Sequence, residues 1–355
     1  VASISIFQRK DRHGVLLNLT DHCVQLARLT GLDERPLGVD AFAEIPAGDE
    51  EGVTRWLAEA FPDRSGGGYL PGYCSFHPHE RLLLRETINP RRLVEEAYLP
   101  GLVAEHAKIS STKEWHIAVL NATDGLPLTP ESTARAGLIF GVPWTAVRET
   151  QQMLRKWGVR PRRLEVGTLD LLGGLTRHLS LNAYPHALFA CEIAHAQTRI
   201  YLLGKDGVHT PPALPHGLLS IEEAAMKELG APDVATARRQ LEQPTEELRT
   251  HSRRLVRMLS RHLRPAVDYF EMQTGQRIGA LFCTHLPARL GWLEQALSAA
   301  VDLELLSPDF ATWLPAVGLQ TIENAIPDPS WFQPLSLVAQ LIPGPAAVAA
   351  NDPKP

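Results

Sequence analysis

Four cysteines are the first residues in this sequence that could carry out chemistry, because a thiolate can attack an electrophile or bind a metal ion. Their spacing contains no Cys-x-x-Cys pair, which favours reduced thiols and argues against a structural zinc site. A catalytic thiol would also need a base, and His195 or His285 could serve if the fold brought one close. Because an isolated cysteine is more often a small apolar core residue, we expect packing roles for Cys23, Cys74, Cys191 and Cys283.

The segment His77-Pro78-His79-Glu80 is the second candidate, because imidazole and carboxylate groups are good zinc ligands. Two histidines two positions apart around a proline are, however, more often exposed side chains of a turn than metal ligands. We therefore interpret the segment as a polar turn and expect no metal site. The sequence also contains no Gly-x-Ser-x-Gly, no His-Glu-x-x-His and no glycine-rich phosphate loop with its lysine.

Charge and composition restrict the class of protein. The chain has 355 residues, with 35 Lys and Arg against 40 Asp and Glu, a net charge of −5 and a pI near 6.3. This balance argues against a general nucleic-acid binder, which usually carries basic residues in excess. Hydrophobic residues make up 44%, which is typical of a folded protein, and the length predicts about two domains or one large two-lobed domain. The most apolar tract, 335–350, is short and broken by proline, and the start shows no secretory signal pattern, so we expect a cytoplasmic protein.

A long amphipathic helix is predicted over 245–275, with leucines at helical spacing along one face. Thr245 marks its start and Gly275 its end, and Pro265 should kink it. Arginines around the leucine stripe could bind an anionic membrane surface or a partner helix. We interpret them instead as the solvated face of the helix, because the stripe already accounts for the pattern. They are Arg249, Arg253, Arg254, Arg257, Arg261 and Arg264.

The order of the predicted elements repeats once along the chain. An apolar hairpin is predicted at 14–29 and again at 186–208, and helices follow each one. A smaller α/β insert is predicted between them, at about 69–160. Its predicted strands are 69–76, 81–88 and 115–123, and a helix is predicted at 129–141.

These elements predict three parts of the chain. The first lobe spans 1–165 and contains the insert, and the second lobe spans 166–320. The remaining segment, 321–355, is rich in proline, and we expect a partly disordered tail.

Two hairpin-first α/β halves with an insert in the first half are the layout of the actin-like (ribonuclease H-like) fold. Individual segments resemble the actin-like ATPases of type IV pilus assembly, the PilM type. LLNLTDHCVQLARL (16–29) resembles the first phosphate hairpin of that family, and ALFACEIAHAQTRIYLLGKDGV (187–208) resembles the second. LPARLGWLEQAL (286–297) resembles the stretch near the adenosine motif, and PAVGL (315–319) resembles the terminal helix. The resemblance covers most of 14–320 and implies an α/β, two-lobed actin-like fold with a small inserted subdomain.

In the family, the ATP phosphates lie on glycine-bearing turns of the two hairpins, where backbone N–H groups face them. An aspartate in each hairpin positions Mg²⁺ or its waters. In the first hairpin of this sequence, Asn18 stands at the aspartate position and Thr20 at the glycine position. Asp21 follows, where it would repel phosphate, and Gln25 replaces the lysine that would offset the phosphate charge.

The second hairpin and the adenosine motif also differ from the pattern of the family. Glu192 stands at the aspartate position, and Ala194 stands at the glycine position before His195. The paired glycines of the adenosine motif read Cys283-Thr284-His285. The resemblance therefore implies a degenerate nucleotide site at Asn18, Thr20, Gln25, Glu192, Ala194, Cys283, Thr284 and His285, with no catalytic residue, cofactor or metal.

The function that the resemblance implies is a cytoplasmic scaffold of a type IV pilus-like or type II secretion-like assembly platform, peripheral at the inner face of the cytoplasmic membrane. We expect a pseudo-ATPase that binds the extended N-terminal peptide of a single-pass inner-membrane partner. The groove walls would come from 69–88 and 115–160, and the assembly motor is a further candidate partner.

Two enzymatic alternatives remain open. The chain could be an active actin-like ATPase that uses ATP and Mg²⁺, with Glu192 ordering the waters of the ion and Thr20 supplying a hydroxyl ligand. A sugar-kinase-like enzyme on the same fold would need a catalytic aspartate in a sugar cleft, and no such motif is visible.

Overall fold

A computed structural model describes residues 13–32, 34–62, 68–107, 109, 111–243, 245–286, 288–321 and 328–342. Within these ranges the chain forms two lobes, each built on a sheet that begins with an antiparallel hairpin, and a small sheet inserted in the first lobe. The two-lobed α/β architecture with an inserted subdomain, predicted from the sequence, is confirmed.

The first-lobe sheet combines an antiparallel part with a parallel part. Its strands are β1 (His13–Leu19), β2 (Cys23–Thr30), β3 (Leu37–Pro46), β4 (Leu70–Phe76), β8 (Val159–Val166) and β14 (Leu319–Thr321), in the order β14-β3-β2-β1-β4-β8. The helices on its faces are α1 (Glu50–Ala60), α3 (Trp144–Lys156), α4 (Gly167–Leu181) and α11 (Phe332–Ala339). Alternate residues of β1 point to opposite faces, so Val15 and Leu17 pack in the cluster with α1 and α3, whereas Leu16 packs in the cluster with α4 and α11.

The inserted sheet lies between β4 and β8 in the chain. It contains β5 (Leu82–Thr87), β6 (Trp115–Asn121) and β7 (Ala136–Pro143), antiparallel and in the order β5-β7-β6. Helix α2 (Tyr98–Ala107) packs against it through Val103, which shares a small core with Val119 and Ile139.

The insert is narrower than the predicted range of 69–160. Strand β4 pairs in parallel with β1, and β8 pairs in parallel with β4, so both belong to the first-lobe sheet. The helix predicted at 129–141 is also wrong, because Ala136–Pro143 is the central strand β7. Its continuous apolar run is typical of a strand buried on both faces, and the polar residues before it form a turn in which Thr129 N donates to Ser132 Oγ at 2.9 Å.

The second-lobe sheet has the order β11-β10-β9-β12-β13. Its strands are β9 (Ala187–Ile193), β10 (Thr198–Gly204), β11 (Gly207–His209), β12 (Ile278–Thr284) and β13 (Glu304–Leu305). The helices that share a core with it are α5 (Leu218–Glu228), α6 (Val234–Leu241), α7 (Glu246–Leu255), α8 (Arg257–Thr274) and α9 (Trp292–Val301).

The helix predicted over 245–275 is divided in two. The break, which was not predicted, lies at Val256 between α7 and α8, and Pro265 lies inside α8. The predicted boundaries are confirmed, since Thr245 Oγ1 accepts from Leu248 N at 3.2 Å and Gly275 ends α8 at a φ of 66°. All six arginines of this segment are exposed, as the solvated-face interpretation predicted.

The C-terminal segment enters the core of the molecule. Helix α10 (Phe310–Ala316) leads into β14, and every residue of α11 is buried. α11 crosses α4 so closely that a Cβ on Gly174 would overlap the Ser336 hydroxyl. The described part of the predicted tail, 328–342, is therefore an integral part of the fold, because its apolar run WFQPLSLVA covers the first-lobe sheet. No helix within the described ranges is both long and apolar enough to cross a membrane.

Candidate functional site

The first hairpin carries a buried amide pair instead of an acid and a lysine. Asn18 on β1 and Gln25 on β2 are cross-strand partners, and Asn18 Nδ2 donates to Gln25 Oε1 at 2.8 Å. Gln25 Nε2 then donates to Ser330 Oγ at 3.1 Å, which ties the hairpin to the turn before α11. The two amides are buried and hydrogen-bonded to each other and to the C-terminal segment.

The turn of the first hairpin uses its own backbone donors. Thr20 Oγ1 accepts from Cys23 N at 3.1 Å and from His22 N at 3.3 Å, and it donates to Cys23 O at 3.0 Å. The hydroxyl thus takes the N–H groups that a phosphate would otherwise bind at a glycine-bearing turn.

The second hairpin is closed by the helix that follows it. Ala194 N donates to Gln197 O at 3.0 Å, and the first N–H groups of α5 donate to the turn, Leu218 N to Ala194 O at 3.1 Å and Leu219 N to His195 O at 2.9 Å. Those helix N–H groups would otherwise be free to bind an anion. The tips of the two hairpins face each other, with the rings of His22 and His195 6.4 Å apart.

Glu192 is the central charged group of the site. Its side chain is 1% exposed and accepts hydrogen bonds from Thr168 Oγ1 at 2.7 Å, from Tyr201 OH at 2.6 Å and from the guanidinium of Arg81. Burial alone would raise the pKa of Glu192, but the charge of Arg81, the neighbouring His285 and the hydroxyl donors Tyr201 and Thr168 lower it below its usual value. The carboxylate is therefore ionised, and its counter-ion is an arginine of the same chain.

The end of β12 supplies the residues at the adenosine-motif positions. Cys283 and Thr284 are buried, and Thr284 Oγ1 donates to Gln333 Oε1 of α11 at 3.0 Å. His285 has a φ of 69°, in the left-handed region that favours glycine. A histidine thus adopts a backbone conformation at this position that usually requires glycine.

His77 joins these groups at the end of β4. Its Nε2 lies 3.1 Å from Asn18 Oδ1 and 2.9 Å from Gln333 Nε2, and its ring meets the ring of His285 edge-on at 3.8 Å. The exposed-turn interpretation is correct for the next histidine, His79, but wrong for His77, whose side chain is 2% exposed. Burial lowers the pKa of His77 well below its usual value, and that of His285 to about 4, so both imidazoles are neutral.

The structure brings together all the predicted site residues around this network except the two turn residues, Thr20 and Ala194, which lie at the hairpin tips, and Cys283, which packs in the second-lobe core. Burial raises the pKa of Cys23 to about 12 and raises those of the other three thiols as well. Because a thiolate is the nucleophilic form, these values disfavour thiol catalysis.

Sequence reasoning missed the residues that complete the network: Arg81, Thr168, Tyr201 and Gln333. The one local signal was Gln333, a lone amide within an otherwise apolar helix, which usually indicates a buried hydrogen-bond partner. The others are ordinary residues in their segments, and only the fold brings them to Glu192.

Comparison with known proteins agrees with the layout. No family model and no curated protein matches the chain. Among solved structures, a chain of a PilM-PilN type IV pilus biogenesis complex matches 96% of this chain and 99% of its own length, with a TM-score of 0.68 and 15% identity.

Two further structures are more distant. A Bacteroides thetaiotaomicron protein with an actin-like ATPase fold matches 94% of this chain and 98% of its own, with a TM-score of 0.43 and 9% identity. The cytoplasmic domain of EpsL, an inner-membrane component of the Vibrio cholerae type II secretion system, matches 93% and 94%, with a TM-score of 0.42 and 12% identity. The likeness of the whole chain to the pilus complex establishes the fold, and this chain therefore has the actin-like fold in the form that resembles the PilM type.

Proposed function

We propose that this protein is a cytoplasmic scaffold of a type IV pilus-like or type II secretion-like assembly platform, which binds an extended peptide of an inner-membrane partner and does not hydrolyse ATP. The observation that carries the proposal is the closed polar network around Glu192, at the place where the actin-like fold holds its nucleotide.

The residues at the hairpins do not fit a magnesium–triphosphate group. His22 N and Cys23 N of the first turn already donate to Thr20 Oγ1, Ala194 N of the second turn donates to Gln197 O, and the rings of His22 and His195 lie 6.4 Å apart at the two tips. The acid at the Mg²⁺ position, Glu192, is bound by Arg81 instead of being open to the waters of an ion. No catalytic step through ATP follows from this arrangement.

The loss of contacts to the phosphates is large enough to remove useful affinity for a nucleotide. Half-saturation by a nucleotide at about 1 mM requires only about −4 kcal/mol of binding free energy. Each charge-assisted hydrogen bond that is lost costs roughly 1.5–3 kcal/mol, so three such losses exceed that amount even at the lower figure. The missing glycines of the two turns and the missing lysine of the first hairpin account for at least that number of lost hydrogen bonds.

The insert offers an edge to which an extended peptide could pair. β6 is an edge strand of its sheet, and segment 126–128 covers only its C-terminal half, where Leu128 N donates to Val119 O at 3.0 Å. Because backbone groups alternate sides along an antiparallel strand, the N–H and C=O of Ile117 face the same outer edge as those of Val119. Trp144, at the start of α3, is 40% exposed, and its ring lies 5.1 Å from that of His116.

This edge and the exposed indole suit strand addition by an apolar peptide, in which main-chain bonds supply affinity and side-chain pockets supply specificity. The partner that we propose is the short N-terminal cytoplasmic segment of a single-pass inner-membrane protein encoded near this one. The likeness to a chain of the PilM-PilN complex supports this class of partner.

Binding of that segment tests the proposal directly. The purified chain should bind a fluorescent peptide of the partner's cytoplasmic N-terminus in an anisotropy titration, and should bind a scrambled peptide of the same composition much more weakly. The proposal fails if the chain binds no such peptide and does not co-purify with any single-pass membrane protein of the neighbouring genes.

A further inference from the structure

Three buried side chains from different parts of the fold point their ligand atoms at one place. His77 Nδ1 lies 3.8 Å from Glu192 Oε1, His285 Nε2 lies 3.7 Å from the same oxygen, and all three atoms are within 4.8 Å of one another. His77 follows β4 of the first lobe, Glu192 lies on β9, and His285 follows β12 of the second lobe. We propose that these residues form a transition-metal site, with Zn²⁺ the favoured ion, that links the two lobes.

The separations suit such an ion. A tetrahedral zinc with bonds of about 2.0–2.1 Å places its ligand atoms about 3.3–3.4 Å apart. The two observed separations to Glu192 Oε1 exceed this value by only a few tenths of an ångström. Two imidazoles and one carboxylate are also a ligand set that zinc uses in proteins, with a fourth position left for water.

The second observation is that the two ring nitrogens directed at Glu192 lack hydrogen-bond partners. His77 Nδ1 and His285 Nε2 are buried, and neither has a hydrogen-bond partner among the described residues. A buried polar atom without a partner costs roughly 1–3 kcal/mol, so such atoms are rare in a stable core. One ion would satisfy both nitrogens at once.

Outer hydrogen bonds hold the ligands in position, as is usual around protein metals. His77 Nε2 lies 3.1 Å from Asn18 Oδ1 and 2.9 Å from Gln333 Nε2, and in the tautomer that donates to Asn18 the lone pair of Nδ1 faces Glu192. Glu192 Oε2 is held by Tyr201 and Arg81, which leaves Oε1, with its bond from Thr168, directed at the two imidazoles. Oε1 is therefore the oxygen that would bind the ion, whereas Arg81 and Tyr201 occupy Oε2.

Arg81 stabilises the ionised carboxylate of Glu192 but disfavours binding of a cation to it. Its charge faces the same Glu192, so it repels a divalent cation and competes for the ligand. Removing that charge should therefore tighten metal binding. If the three groups enclose only a water, the chain binds no stoichiometric zinc and Arg81→Gln produces no gain in affinity.

The test uses the full chain, which is stripped of metal with a chelator, dialysed and then supplied with zinc. Zinc content per chain is measured by elemental analysis, affinity by competition with a chromophoric chelator, and site geometry by the visible spectrum of the cobalt-loaded chain. The variants are His77→Gln, His285→Gln and Arg81→Gln. The matched control is His106→Gln, because His106 pairs with Glu86 at 3.0 Å on the surface and so presents the same chemistry outside the site.

We expect one zinc per chain in the wild type and in His106→Gln, at least a tenfold loss of affinity in His77→Gln and His285→Gln, and a gain in Arg81→Gln. Zinc should also raise the melting temperature of the wild type. Equal zinc content in the wild type and in His285→Gln would overturn the proposal. If the histidine variants fail to fold, an anomalous-scattering peak between the three side chains in zinc-soaked wild-type crystals supports it, and a peak elsewhere or none contradicts it.

Discussion

Arg81 and Glu192 form an ion pair between the two lobes, with the guanidinium 4% and the carboxylate 1% exposed. Arg81 comes from the segment between β4 and the insert, whereas Glu192 lies on β9 of the second lobe. Each charge is tolerable in this buried position only because the other is present, so the pair holds the segment after β4 against β9 of the second lobe.

Replacing Arg81 by leucine, in metal-free protein, should therefore destabilise the fold strongly. Glu192 would remain buried without a counter-ion, and removal of one partner from such a pair costs about 3–5 kcal/mol of unfolding free energy. Urea unfolding followed by circular dichroism measures the change. The control is Arg92→Leu, because Arg92 pairs with Glu95 on the surface at 2.9 Å with both side chains half exposed, and its loss should leave the midpoint unchanged. Equal effects of the two substitutions would contradict this assignment.

Gln333→Leu tests the connection between α11 and the site. The substitution keeps the approximate volume but removes the acceptor of Thr284 and the amide beside His77, so we expect a loss of roughly 1–3 kcal/mol of unfolding free energy. Gln320→Leu on the edge strand β14 is the matched control, since Gln320 is exposed and its replacement should change stability by less than about 0.5 kcal/mol. If Gln333→Leu left the free energy of unfolding unchanged, α11 would pack only through its apolar side chains.

Stability should fall as the pH rises through neutrality because of Glu294. Burial, with a smaller contribution from Asp328, raises the pKa of Glu294 from 4.5 to about 7. Between these values the folded chain holds a proton that the unfolded chain has lost. The stabilising contribution is therefore complete below about pH 4.5 and is lost as the pH passes about 7, a change on the order of 3 kcal/mol.

Urea unfolding at about pH 5 and about pH 8 measures this dependence. Glu294→Gln should reduce the difference between the two pH values and stabilise the chain at the higher one, whereas Glu51→Gln on the exposed face of α1 should retain the wild-type difference. An unchanged difference in Glu294→Gln would refute the prediction.

Peptide binding should depend on the outer edge of β6. Ile117→Pro removes an N–H that faces this edge and leaves the ladder to β7 intact, and Trp144→Ala removes the exposed indole beside it. We expect each to weaken peptide binding about tenfold or more, as is typical of central contacts in an interface. Tyr269→Ala on α8 is the control, because this tyrosine is 63% exposed but lies in the second lobe. Similar losses in all three variants would mean that the peptide binds elsewhere.

The hairpins of both lobes could be predicted from the sequence because their strands carry continuous apolar runs interrupted by short polar turns. Asn18, Gln25 and Glu192 were singled out because the resemblance to the PilM type places them at the aspartate and lysine positions of the two hairpins. β7 was misread as a helix because Thr129-Pro130 looks like a helix start, although the apolar run that follows is the better indicator of a central strand.

The partners of these residues could not be predicted in the same way. Arg81 and Glu192 are 111 positions apart, and Gln333 and His77 are 256 apart, so only the tertiary fold places them in contact. The proline content around α11 suggested a tail outside the fold, because composition does not report that an apolar segment has a sheet to cover.

The most direct test of the central claim is an isothermal titration of the full chain with Mg-ATP. We expect no saturable binding up to millimolar nucleotide, because His22 N, Cys23 N and Ala194 N of the hairpins and the carboxylate of Glu192 are already bonded within the chain. Micromolar binding of Mg-ATP, with the phosphates of an analogue seated between Thr20, Ala194 and Thr284 in a crystal, would contradict it.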